Sequence, residues 1–148
     1  MTTYVGPDRT WDAGVPKQTS DVFNVTGEGL IVGDYPVQFT EDMPVALNQT
    51  LAAYTVVGVD GSGNIVPAVS GGSVRAIGIL MYPVTTGASG ALPAGRVLRS
   101  GVINPFFTGL IWGASYDTVA KKMNAFAGAP SPTQFVTRPL SHDTPILP

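Results

Sequence analysis

The sequence predicts a mainly β fold with one short α-helix, an α+β class, on three observations. Of 148 residues, 18 are Gly and 13 are Pro, so a fifth of the chain punctuates the backbone and a helical bundle is excluded. Runs of β-branched and aromatic residues alternate with Gly-rich turns. Hydrophobic residues make up 44% and charged residues 12%, which supplies a core and excludes a chain disordered throughout. The length fits one small domain. It divides into an extended N-terminal arm at residues 1–20, a β-rich domain at 21–128 and a Pro-rich C-terminal extension at 129–148.

The arm carries Pro7, Pro16, Gly6 and Gly14 among polar residues and shows no apolar period. It nevertheless holds Tyr4, Val5, Trp11 and Val15, large side chains that call for burial. Two readings are open: the arm orders on a partner, or Trp11 folds back onto its own domain. Next come runs at 21–25 and 30–39 separated by Thr-Gly-Glu-Gly, with Pro36 confining its strand to a sheet edge. Residues 54–59 and 65–69 flank an Asp-Gly-Ser-Gly-Asn turn and predict a β-hairpin. Residues 74–84 are apolar apart from Arg75 and read as the central buried strand, with Gly78 inside it. Residues 85–95 read as a surface loop, and 96–103 resume strand character until Asn104-Pro105.

One helix is expected after Ser115 or Asp117 as cap, with Asp117 pairing Lys121 and Gly128 at its C-terminal end. Its Val119, Met123 and Phe126 share one face that needs a packing partner. Five prolines in the last twenty residues predict no regular structure there, only an extended strap anchored at Phe135, Val136, Leu140, Ile146 and Leu147.

Charge is unevenly spread. Residues 1–60 carry a formal −6 and residues 61–148 a formal +4; two readings are open, an attraction within a subunit or between subunits, or two ordinary solvated surfaces. The six dispersed bases of the second half form no phosphate-binding patch, so no nucleic-acid partner is expected. Neither is a membrane partner: the first twenty residues contain no apolar signal core, and no later run has the length and apolarity of a span.

Enzymatic constellations are hard to build from these residues. The chain has no Cys and a single His, His142, in the Pro-rich tail, which leaves neither a thiol nucleophile nor a zinc site. Ser89 and Ser115 both miss the nucleophile-elbow pattern at its last position. Gly27, Gly29 and Gly33 miss the dinucleotide spacing by one residue. Glu41 and Asp42 read as turn acids, and the acceptor patterns at Asn24 and Asn48 come without a secretion signal. No catalytic residue, metal or cofactor is therefore expected.

One longer string changes the expectation. Arg99-Ser100-Gly101, Phe106 and Phe107, Leu110-Ile111-Trp112-Gly113-Ala114-Ser115, Asp117, Lys121-Lys122 and Asn124-Ala125-Phe126-Ala127-Gly128 together resemble, in order and spacing, the C-terminal part of the lambda-type phage head decoration proteins. The hairpin and Ala76-Ile77-Gly78-Ile79-Leu80 are similar to that family's middle strands, so the resemblance spans residues 43–128. It implies a structural virion protein, made in the bacterial cytoplasm, that sits as homotrimers on the outer surface of an expanded capsid. There it binds the major capsid protein at three-fold and quasi-three-fold positions and braces the shell against packaged DNA. It also implies an N-terminal arm that pairs with capsid backbone, which makes Tyr4, Val5, Trp11 and Val15 the arm's candidate contacts, although Pro7 and Pro16 interrupt any ladder. Arg96, Arg99, Phe106, Phe107, Leu110 and Trp112 are candidates for a trimer or capsid interface, with core packing the other reading for the apolar members. The competing class is a β-rich receptor- or carbohydrate-binding module of a phage fibre or adhesin, separable by glycan binding.

Overall fold

The computed structural model describes residues 29–139, and the strand expected at residues 21–25 lies outside them. β8, Ala94–Ile103, is the axis of the fold, because it pairs with four other strands. One side of it meets β2, Phe39–Pro44, over residues 94–100 and then β1, Ile31–Gly33, at 102–103, both antiparallel. The other side meets β6, Ala76–Leu80, at Val97 and Leu98, and β9, Gln134–Thr137, over residues 100–103. Beyond β6 lie β4, Val56–Val59, and β5, Ile65–Pro67, completing the order β1-β8-β6-β4-β5. β3, Thr50–Leu51, and β7, Val84–Thr85, form a separate two-stranded sheet.

Period-two alternation divides the apolar side chains between two faces. Val56, Ile79, Leu98 and Ile103 pack on one face under Leu110, Tyr116 and Phe126, with Trp112 and Phe135 against them. Val57, Leu80 and Val97 pack on the other with Val45, Leu51 and Ile65, closed by Met43 and Val84. β6 is therefore buried along its whole length, as its apolar run requires. A Cβ at Gly78 would lie 2.5 Å from the Leu98 carbonyl and collide with Val97, so this strand crossing needs glycine for close approach.

The expected hairpin forms between β4 and β5. Asp60 Oδ1 accepts from the Ser62 and Asn64 amides at 2.8 and 2.9 Å, and Gly63 takes the left-handed conformation at φ 83°. Four expectations are corrected. The apolar run 74–84 is not one strand: β6 ends at Leu80, and Pro83, which has no amide to donate, separates it from β7. The run 30–39 is likewise split, with Pro36 between β1 and β2 on the outer side of β8. The helix α1 is only Val119–Met123, and its cap is Thr118, whose hydroxyl accepts from the Lys121 amide at 3.2 Å, not Ser115 or Asp117. Gly128 does adopt φ 74°, but four residues beyond the cap residue Asn124, after a run of tight turns that carries Phe126 into the core.

The fourth correction concerns the extension, which holds regular structure after all. Between Pro132 and Pro139 the segment Thr-Gln-Phe-Val-Thr-Arg keeps every amide, and it lies parallel to β8 from Ser100 to Ile103. Prolines bound this strand without entering it.

Candidate interaction surfaces

The arm residues Tyr4, Val5, Trp11 and Val15 lie outside the described residues, as do His142 and the anchors Leu140, Ile146 and Leu147. The other candidates can be placed. Arg96, half-exposed on β8, makes a two-point ion pair with Asp42 on β2 at 2.8 and 3.0 Å. The hydrogen bond from Arg96 holds the Asp42 carboxyl below its ordinary value. Arg99 is 4% exposed, and a side chain of that length cannot be buried without partners. Its Nε donates to the Ile77 carbonyl at 3.1 Å and the Thr133 hydroxyl at 2.9 Å, and its Nη1 donates to Glu41 at 3.0 Å and the Met43 sulfur at 3.5 Å. Burial lowers the guanidinium's proton affinity, and Glu41 works against that shift. The opposite charges of the two halves thus meet inside one chain in both pairs.

The aromatic candidates face mostly inward. Leu110 is buried, and Trp112 is half-buried with its indole N–H donating to the Pro105 carbonyl at 3.0 Å. Its ring lies 5.1 Å from that of Tyr116 and 6.4 Å from that of Phe126, which in turn lies 4.4 Å from Phe135. Burial raises the Tyr116 pKa above the ordinary phenol value, and a main-chain hydrogen bond with Ala76 works against that shift. Phe107 packs edge-on to Tyr54 at 5.6 Å. Phe106 is half-buried, its amide tied to the Asn104 side chain at 3.1 Å.

The large apolar side chains that reach solvent include three that sequence reading did not single out: Tyr35 is 81% exposed, Val37 68% and Phe39 47%. Val136, expected as an anchor of the strap, is 48% exposed, because strand alternation turns its neighbour Phe135 to the core instead. The available signal was Gly-Asp-Tyr-Pro-Val: a turn motif carrying an aromatic and a valine where small polar residues are usual.

The described residues form an open cleft of about 500 Å³ between the turn at residues 69–75 and α1, lined by Arg75, Tyr116, Lys121 and Asn124 among others. Two bonds brace it: the Ser70 amide donates to the Ser115 hydroxyl at 2.9 Å, and Arg75 donates to the Gly128 carbonyl at 2.8 Å. Ser115 is thus a structural acceptor. Among the described residues no group of three or more His, Cys, Asp or Glu side chains is placed to hold a metal, and no helix is long and apolar enough to cross a membrane.

These features define a class: a β-rich structural module whose buried polar side chains hold strands together and whose distinctive surface is apolar. A family model, bacteriophage lambda head decoration protein D, matches residues 23–131, and the chain belongs to that family. It is a phage head decoration protein, a structural component of the virion capsid. No curated protein matches the chain.

Proposed function

We propose that this protein binds as trimers to the outside of the expanded capsid at its three-fold and quasi-three-fold positions, and stabilises the shell against the pressure of packaged DNA. The family match over residues 23–131 is the observation that carries the reading. The mechanism needs no catalytic group. Three arms on one trimer raise the effective concentration of the second and third contacts once the first has formed, so each contact can be weak. Tyr4, Val5, Trp11 and Val15 are the arm's contact residues in this proposal, and the partner is the major capsid protein.

Of the remaining candidates, Arg96 is exposed and Phe106, Phe107 and Trp112 are half-buried, so these four keep surface with which to meet a neighbouring subunit or the shell directly. Arg99 and Leu110 are buried and act on such an interface only by holding the strands and loop that present it.

The test is co-sedimentation with expanded, undecorated phage heads, comparing the full chain with one lacking residues 1–20. Saturable binding of the full chain that the truncation loses is the expected result. Absence of binding by both removes the capsid reading and turns attention to glycans.

A further inference from the structure

The open cleft between the turn at residues 69–75 and α1 is lined by two cations, Arg75 and Lys121, and by no acid. Tyr116 and Asn124 are among its neutral polar members, and Val69, 44% exposed, forms part of its apolar wall. At about 500 Å³ it has room for a short stretch of extended chain. Arg75 reaches it with hydrogen-bonding capacity left over. Its Nη1 donates to the Gly128 carbonyl at 2.8 Å and the Ala127 carbonyl at 3.4 Å, which ties it to the turns after α1. A guanidinium has five N–H groups, and among the described residues no acceptor meets those on Nε and Nη2. Nε and Nη2 form the edge through which Arg96 holds the Asp42 carboxylate at 2.8 and 3.0 Å in this same chain. Arg96, Arg99 and Lys121 each have an acidic partner, whereas Arg75 has none among the described residues. The cleft therefore suits a carboxylate, with Lys121 as a second positive charge at its rim.

The chain carries such a group close by. β9 ends at Thr137, whose hydroxyl donates at 3.1 Å to the carbonyl of Met123, the last residue of α1. Asn124, next in sequence, already lines the cleft. Beyond Thr137 the first acid is Asp143, which is also the first after Asp117. Residues 138–143 span up to about 20 Å when extended, whereas Lys121 stands before Met123 by only about 3 Å along the helix axis. Pro139 and Pro145 favour extended backbone on either side of Asp143. The family match ends at residue 131, so β9 and the residues after it lie outside the matched framework. α1, with five residues and none of them buried, is the element beside the cleft that most lacks cover.

We propose that this cleft is a carboxylate-binding seat for the chain's own C-terminal extension: residues 140–148 cross α1, with Asp143 on the Nε and Nη2 edge of Arg75 and beside Lys121. The contact closes within one chain, because a segment tethered this near its seat has an effective concentration in the millimolar range. An exposed ion pair of this kind adds little to global stability, so the latch is read in local opening of α1 and not in the melt. The inference goes beyond the capsid reading and does not depend on it.

The experiment exploits the absence of cysteine from the chain. Full-length protein carrying Ala120→Cys with Thr144→Cys is oxidised mildly, and its products are sized with and without reductant. An intrachain disulfide is expected, formed about tenfold or more faster than in a control pairing Thr144→Cys with Tyr82→Cys, since Tyr82 is exposed beyond the other end of β6. Added to the first pair, Asp143→Asn and Arg75→Gln are each expected to slow the reaction about threefold, with no further loss when both are present. Amide exchange gives a second readout without cysteines: residues 119–125 exchange faster in full-length Asp143→Asn than in the unmodified chain, while 97–103 do not. Equal rates for the two cysteine pairs overturn the proposal, and so do additive losses from Asp143→Asn and Arg75→Gln. An interchain product in place of the intrachain one makes a second copy's extension the occupant and overturns closure within one chain. Neither measurement involves phage heads, so this inference and the capsid reading stand or fall separately.

Discussion

Arg99 shows most clearly how one side chain serves the whole sheet. It stands on β8, yet its bonds reach β6 through the Ile77 carbonyl, β2 through Glu41 and Met43, and the start of the C-terminal segment through Thr133. Replacing it by Ala leaves Glu41 without its cation and opens a gap where the stem was packed. Hydrogen bonds to charged groups contribute about 1.5–3 kcal/mol each in mutational series, so Arg99→Ala is expected to lower stability by roughly 2–4 kcal/mol. Glu41 is 39% exposed on its side chain, so Glu41→Gln, which keeps a hydrogen-bonding oxygen near Arg99, is expected to cost less than about 1 kcal/mol. Urea unfolding monitored by circular dichroism separates the two, and equal losses contradict the assignment of Arg99 as the hub. Sequence alone counted this residue among six dispersed bases and named it for a trimer or capsid interface, because nothing in its neighbours Leu98 and Ser100 reveals which way a strand residue will be held.

At the scale of elements, β9 is the informative case. Its strand propensity was present in Gln-Phe-Val-Thr, but the surrounding prolines made extended, unpaired chain the natural expectation. What decides the matter is the open side of β8 at residues 100–103, which β6 does not reach and β9 fills. Phe135 then packs at 4.4 Å from Phe126 and completes the aromatic row that begins at Trp112. A chain ending after Pro132 is expected to lose the β9 ladder and uncover Phe126, lowering Tm by several degrees, since ~1 kcal/mol corresponds to about 2–8 °C across domains of this size range. A chain ending after Pro139 is expected to melt like the full protein. A calorimetric comparison of the two truncations checks this, and identical melts for both contradict it. α1 behaves in the opposite way: with five residues and none of them buried, it owes its place to the Thr118 cap and to the turns that follow.

Across the whole molecule, the two apolar clusters lie on opposite faces of shared strands, so neither can open without disturbing the other. Val56 and Val57, Ile79 and Leu80, and Val97 and Leu98 are adjacent pairs that serve one cluster each. Unfolding is therefore expected to be a single transition, with far-ultraviolet and near-ultraviolet circular dichroism giving coincident curves in urea. Two separated transitions contradict the shared-strand account. The sequence by itself determined several local elements: the 60–64 turn follows from Asp60 and Gly63, the fully buried strand β6 from the apolar residues 76–80, though not its expected continuation to 84, and the Asp117–Lys121 pair from four-residue spacing. Its ordered string after residue 99 also pointed to the decoration family, which the match over 23–131 shows. Only the tertiary structure decided that β8 gathers four strands, that Arg99 turns inward, that Leu110 is buried and Trp112 half-buried against the core, and that Tyr35, Val37, Phe39 and Val136 stay exposed. The reason is range: turns and caps are set by residues within four positions of each other, whereas burial of a side chain depends on strands that arrive from about twenty to seventy residues away.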